Sequence, residues 1–254
     1  MSVVLEATGV SVSFGGVKAL DDVDIEVREG QLVGLIGPNG AGKTTFIDAV
    51  TGFVPAAGRM LLDGIDLSAL PPHARARQGL ARTWQTIELF DDLSVGKNLE
   101  VSAEHPSLWQ SVKGAVWRPP PLPEAVHDAL RLLDIESMID ARPGDLPQGQ
   151  RKLVGVARAL AARPRLLLLD EPAAGLDTTE SEDLGRRLRR VVDSGIATLL
   201  IDHDMGLVLS ICDYIVVLDF GRVIARGTPD DVRRDPTVVA AYLGGASTEL
   251  QEAR

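Results

Sequence analysis

Cysteine is nearly absent from this 254-residue chain. Cys212 stands alone, so no internal disulfide can form, and nothing in the cysteine usage points to an oxidising compartment. A solitary thiol of this kind reads as buried apolar filler. Basic charge is also in short supply: 26 Lys and Arg against 36 Asp and Glu leave a formal net charge of −10. A nucleic-acid partner needs a basic face to neutralise its phosphates, and this balance argues against one. Long apolar runs are missing as well. Runs such as 166–169 and 215–218 are strand-length, and none approaches the roughly 20 residues that a membrane helix requires. Any membrane role must therefore run through a partner. The N-terminal MSVVLEATG has no basic region before its short apolar stretch and does not read as a signal peptide. No internal repeat or coiled-coil heptad is visible.

What is present is a 45% hydrophobic chain, ample for one sizeable domain or a core with an inserted subdomain. Segments 3–5, 10–12 and 23–27 read as early strands, partly alternating as half-buried sheet does. A helix is expected from about Lys43 to Thr51, ended by Gly52. Two apolar runs, LLLLD at 166–170 and ATLLID at 197–202, end in acids. Continuous apolar runs suit strands buried on both faces, hence a mainly parallel sheet flanked by helices, an α/β arrangement. Between about 88 and 155 the pattern becomes helical, interrupted by a stretch rich in Pro, Trp and Gly, and reads as an inserted helical subdomain.

The stretch GPNGAGKT, residues 37–44, fits G-x-x-x-x-G-K-[ST] between a strand and a helix, the context that such a loop requires. Its residues are Gly37, Pro38, Asn39, Gly40, Ala41, Gly42, Lys43 and Thr44, with Thr45 next. Glycines let the backbone curl so that successive N–H groups converge, and the helix N-terminus adds its partial positive charge. Lys43 is placed to reach the β- and γ-phosphates of a nucleotide, and the Thr44 hydroxyl to ligate Mg²⁺. In LLLLDEP, Asp170 ends its strand where a contact to Mg²⁺ through water is expected. Glu171, one residue on, can orient and deprotonate an attacking water.

These motifs resemble the ATP-binding cassette subunit of a membrane transporter, nearly end to end. The resemblance implies a P-loop ATPase core with mainly parallel sheet, an N-terminal antiparallel β portion and an inserted helical subdomain, all within one domain spanning 1–254. It implies further roles in chain order. Phe14 in VSVSFGG occupies the position that stacks on adenine. Gln85 in ARTWQ matches the glutamine loop, which senses Mg²⁺ and the membrane partner. LPQGQ, with Leu146, Gln148, Gly149 and Gln150, occupies the signature segment. Asp177 in AGLD belongs to the D-loop, and His203 in LLIDHDM is the switch histidine. ATP and Mg²⁺ are the implied ligands. The implied partners are integral membrane permease subunits and a second cassette, identical or paralogous, whose signature segment completes each site. That assembly would sit at the cytoplasmic face of the cell membrane.

LPQGQ departs from the family's usual LSGGQ. Pro147 replaces a serine and lacks an N–H, while Gln148 replaces a glycine. Two readings follow: a weakened composite site, or a branch-specific variant in which Gln148 supplies the lost donor. Several segments, above all the tail VLDFGRVIARGTPDDVRRDPTVVAAYLG, resemble cassettes of branched-chain amino-acid importers, with an external solute-binding protein in the complex. LPPHARARQGLA and the DSG at 193–195 also resemble lipid or lipopolysaccharide exporters, although ARTWQ and LPQGQ suit that group less well. A soluble cassette of DNA repair or translation is a third reading. Trp109 and Trp117 read as packing within the helical subdomain.

Overall fold

The computed structural model describes residues 2–84, 88–103 and 121–242. Gln85, Trp109 and Trp117 lie outside the described residues. The chain divides into two compact units, one formed by 1–85 with 165–254 and the other by 86–164.

In chain order the strands are β1 (Val3–Phe14), β2 (Val17–Arg28), β3 (Leu32–Ile36), β4 (Ala57–Leu62), β5 (Ile65–Asp66), β6 (Leu80–Arg82), β7 (Leu166–Asp170), β8 (Ala197–Ile201), β9 (Tyr214–Asp219) and β10 (Arg222–Gly227). All belong to the first unit and form two sheets. One is antiparallel, ordered β2-β1-β4-β5, and the other is ordered β10-β9-β3-β8-β7-β6. In the second sheet only the β9–β10 hairpin is antiparallel among the pairs described; the other neighbours run parallel. All five residues of β3, β7 and β8 are buried, as continuous apolar runs in a two-face-covered parallel sheet demand.

One expectation needs correcting. Segments 3–5 and 10–12 are not separate strands but parts of the single strand β1. Gly9, at φ 63°, and the register shift between the Ala7 and Val10 pairings let the strand pass a bulge and continue. The Asp24 carboxylate accepts the Gly9 N–H at 2.7 Å and holds the bulge in place.

The helices are α1 (Lys43–Thr51), α2 (Pro72–Arg77), α3 (Val95–Ala103), α4 (Glu124–Leu132), α5 (Gln148–Ala161), α6 (Thr178–Asp193), α7 (Met205–Ile211) and α8 (Pro229–Arg234). A further helical segment covers 236–242. The second unit contains α3, α4 and α5. Helix α1 ends at Gly52, in the left-handed conformation. The buried Arg75 donates to the Ala49 and Val50 carbonyls at 2.7 and 2.8 Å, placing a cation where the helix dipole favours one. The helix behind the 37–44 loop is thus anchored at its far end.

This topology decides where chemistry can occur. Strands β3, β8 and β7 are parallel neighbours, so the segments leaving their C-terminal ends, 37–42, 202–204 and 171–177, emerge along the same edge of the sheet. Open α/β sheets bind ligands at such an edge.

Candidate active site

The 37–44 loop is built around glycine. A Cβ at Gly37 would lie 2.0 Å from the Leu218 carbonyl oxygen. At Gly42, φ 104°, it would lie 2.6 Å from that of Ala19. Both positions exclude a side chain because neighbouring backbone comes too close. Gly42 is also the N-cap of α1 and supplies no side-chain cap. The first helical N–H groups therefore have no intrahelical partner and suit an anion. The loop is fastened from outside by Gly221, whose N–H donates to the Ala41 carbonyl at 3.0 Å.

Lys43 is buried and folds back over the loop, its Nζ donating to the carbonyls of Gly37 at 2.7 Å and Pro38 at 2.9 Å. Burial pushes its pKa below that of an ordinary lysine, opposed by the charges of Glu171 and Asp170. Those interactions tie Lys43 to the two acids predicted to work with it. Asn39, Gly40 and Thr44 are exposed, and Thr45 is partly so.

Asp170 closes β7 as a buried carboxylate. Its Oδ2 accepts from Arg82 Nη2 at 2.9 Å, while Arg82 Nη1 donates to Asp48 of α1 at 2.5 Å. Glu171 has φ 48°, a left-handed conformation costly for a residue with a Cβ. Its N–H donates to the Ile201 carbonyl at 2.8 Å, which pins the turn after β7 to the end of β8. His203 Nδ1 lies 3.8 Å from Glu171 Oε2, so two expected site residues 32 positions apart meet here.

Three supporting residues escaped sequence reasoning. The Asp202 carboxylate is fully buried and accepts the Ala173 N–H and the Asp204 N–H, both at 3.0 Å. It therefore ties the segment after β7 to the segment after β8. Asp204 caps α7 through the Leu207 N–H at 3.1 Å and accepts from Ser181 Oγ at 2.8 Å. Burial raises the Asp204 pKa, but those hydrogen bonds outweigh it and hold the carboxyl below the usual range. Tyr242, on the 236–242 segment, has its phenol pushed up by burial, against the pull of a hydrogen bond with the Gly37 backbone. The only sequence signals were the acidic residues flanking His203 and the AYLG ending.

The family description "ABC transporter" matches residues 20–174, and "Branched-chain amino acid ATP-binding cassette transporter" matches residues 222–248. Among curated proteins, the high-affinity branched-chain amino acid transport ATP-binding protein BraF of Pseudomonas aeruginosa is 38% identical over 96% of this chain and 98% of its own length. The lipopolysaccharide export system ATP-binding protein LptB of Escherichia coli is 36% identical over 94% and 97%. A solved nucleotide-free ATP-binding cassette from an ABC transporter superposes with a TM-score of 0.83 at 32% identity, covering 95% of this chain and 99% of that one.

The chain belongs to the ABC transporter ATPase family. It is an ATP-binding cassette, and such cassettes hydrolyse ATP to power transport. Among the described residues no helix is long and apolar enough to cross a membrane.

The remaining cassette landmarks can be placed. Phe14 ends β1 and is 52% exposed. It pairs with Val17 across Gly15 and Gly16, at φ 53° and 90°, a two-residue turn that needs left-handed residues at both positions. Val17 in turn lies two residues before Ala19, the residue packed on Gly42. Asp177 is exposed and N-caps α6, accepting the Glu180 N–H at 2.8 Å in a capping box. In the second unit, Pro147 is the N-cap of α5, and its carbonyl accepts the Arg151 N–H at 3.0 Å. Proline costs the helix nothing there. Gln148, Gly149 and Gln150 form the opening turn, where N–H groups lack intrahelical partners. Gln148 is exposed, and Leu146, Gly149 and Gln150 are partly buried.

The donors suit Mg²⁺. A hydroxyl at the start of α1 is a hard oxygen donor and the Asp170 carboxylate can accept from a metal-bound water, and no group of three or more His, Cys, Asp or Glu able to cage a metal occurs among the described residues. Mg²⁺ is commonly held by one or two protein oxygens, with water and substrate phosphates completing its shell.

Proposed function

We propose that this cassette powers import of branched-chain or other hydrophobic amino acids. The observation that carries the proposal is the match of residues 222–248 to the branched-chain amino acid cassette description. Overall identity does not discriminate, since BraF stands at 38% and LptB at 36%. That near-equality is what favours a lipopolysaccharide-type exporter as the second reading.

In the proposed cycle, adenine stacks on Phe14 and the phosphates settle on 37–45. Lys43 exchanges the carbonyls of Gly37 and Pro38 for phosphate oxygens. Thr44, Asp170 and Gln85 would hold Mg²⁺, which when bound would neutralise charge on the β- and γ-phosphates. Two cassettes close around two nucleotides, each site completed by Leu146, Gln148, Gly149 and Gln150 from the opposite subunit, with Asp177 at the interface. Gln148 is the residue proposed to compensate for the missing serine. Glu171 takes a proton from the attacking water, and His203 contacts the γ-phosphate. Hydrolysis reopens the pair, and the different affinities of the open and closed states for ATP do the work on the membrane subunits. The partners proposed are permease subunits at the cytoplasmic face of the membrane, a second cassette, and an external solute-binding protein.

Mass spectrometry of what copurifies with the tagged chain from membranes in mild detergent tests this reading. Two different polytopic membrane proteins with a second cassette support it. A single lipid-export partner supports the exporter, and a chain with no membrane partner contradicts both.

A further inference from the structure

The least expected group near the site is the Arg82 guanidinium. It is almost wholly buried, with 6% of its side chain exposed, yet it sits between two carboxylates that the chain brings together from 122 residues apart. Nη1 donates to Asp48 Oδ1 at 2.5 Å and Nη2 to Asp170 Oδ2 at 2.9 Å. Its flat face lies 4.1 Å from the Trp84 ring centroid, and Trp84 meets Phe53 edge-on at 5.2 Å. Nε is buried with no partner among the described residues.

A salt bridge kept only for stability explains this poorly. Burying a guanidinium costs several kcal/mol, and a well-packed apolar trio is often as stable. Nε, without a partner among the described residues, adds to that cost. The arrangement supplies direction instead. A planar guanidinium held on one face by an aromatic ring and on one edge by Asp48 has a fixed fork. Its Nη2 N–H therefore meets the Asp170 carboxylate from a set direction and engages Oδ2. Asp48 stands five residues after Lys43 on α1, so the same fork ties the Asp170 end of β7 to the helix that carries the phosphate loop.

We propose that Arg82 is a positioning residue that orients Asp170 toward the Mg²⁺ of the bound nucleotide. The inference rests on the assignment of Asp170 to the metal side of the site. Partners that orient a metal-side ligand typically change metal affinity by about 10–100-fold when removed.

The test is equilibrium binding of a fluorescent ATP analogue to the full chain, first in EDTA and then across a Mg²⁺ titration. Arg82→Gln is expected to keep metal-free nucleotide affinity within about 3-fold while raising the half-saturating Mg²⁺ concentration by about 10-fold or more. Arg82→Lys retains the charge but not the fork and should recover only part of that loss. An unchanged Mg²⁺ midpoint in Arg82→Gln overturns the proposal, as does a parallel loss of metal-free affinity or full rescue by lysine. If Arg82→Gln fails to fold, Asp48→Asn carries the test: it releases the other anchor and should raise the Mg²⁺ midpoint, and no change contradicts the role. Asp170→Asn separates the two levels of inference. If it leaves the Mg²⁺ response intact, the assignment of Asp170 falls and Arg82's role falls with it. If it shifts the response while Arg82→Gln does not, only the role of Arg82 falls.

Discussion

Nδ1 of His203 lies 3.8 Å from Oε2 of Glu171 and 3.7 Å from Oδ1 of Asp202. The imidazole thus stands between an acid following β7 and another following β8, with most of its own side chain exposed. A histidine held this way can follow the γ-phosphate and the acid beside it together. Substituting His203 with Ala is expected to lower ATP turnover by about 100-fold, a usual loss when one hydrogen-bond donor to developing charge is removed, while leaving equilibrium ATP binding within a few-fold. Turnover close to that of the unaltered chain would contradict the role.

Asp202 gives a stability prediction. Its carboxylate accepts two amides, from Ala173 and Asp204, in a fully buried setting. Asp202→Ala strands both donors, each costing about 1–3 kcal/mol when left unsatisfied. A denaturant midpoint corresponding to a loss of about 2 kcal/mol or more is expected. A change below about 0.5 kcal/mol, the range of an ordinary surface substitution, would show that the amides find other partners.

Much of the site is legible in the sequence because its parts are local. The loop at 37–44 carries its glycines, lysine and threonine in one run, and the Lys43–Thr51 helix with its Gly52 terminus is visible from pattern and breaker alone. The acids at 170 and 202 follow apolar runs that can only be buried strands. What stayed hidden depends on distance along the chain. Nothing near Arg82 announces that Asp48 and Asp170 will close on it, because the pairing exists only once β6 lies against β7. The strand at 3–14 reads as two in the sequence because the polar Glu6 and Thr8 and then Gly9 look like a break, whereas the fold uses the glycine as a bulge. Asp202 reads as one more acid at a strand end, and its two amide partners come together only once the segment after β7 lies beside the segment after β8.

Lys43 supplies the binding prediction. Its ammonium sits over the loop carbonyls at 2.7 and 2.9 Å and is the only charge that the loop itself carries. Lys43→Ala should weaken ATP binding by at least about 10-fold, the factor corresponding to 1.4 kcal/mol. Isothermal titration of both proteins measures it, and equal affinities would count against the loop as the phosphate site.

Cys212 supplies a pH prediction. Its sulfur packs where a Cβ on Gly34 would lie 2.9 Å away, and burial pushes the thiol far above its ordinary value. A raised acid pKa in the fold means that stability is intact below the unfolded thiol's pKa of about 8.5 and is lost as pH climbs above it. Between pH 8.5 and 10 this group alone removes up to about 2 kcal/mol, at 1.36 kcal/mol per unit. Cys212→Ala should flatten the fall in stability over that range, whatever its effect at neutral pH. An identical slope in the variant would show that the thiol ionises in the folded chain.

The most direct test concerns Glu171, which the fold holds at φ 48° beside His203. Glu171→Gln preserves shape and removes the base. ATP binding and single-turnover hydrolysis should be measured on the same preparation. Retained binding with hydrolysis slowed by about 100-fold or more is the expected result. Near-normal hydrolysis would mean that the attacking water is activated elsewhere and that the catalytic assignment is wrong.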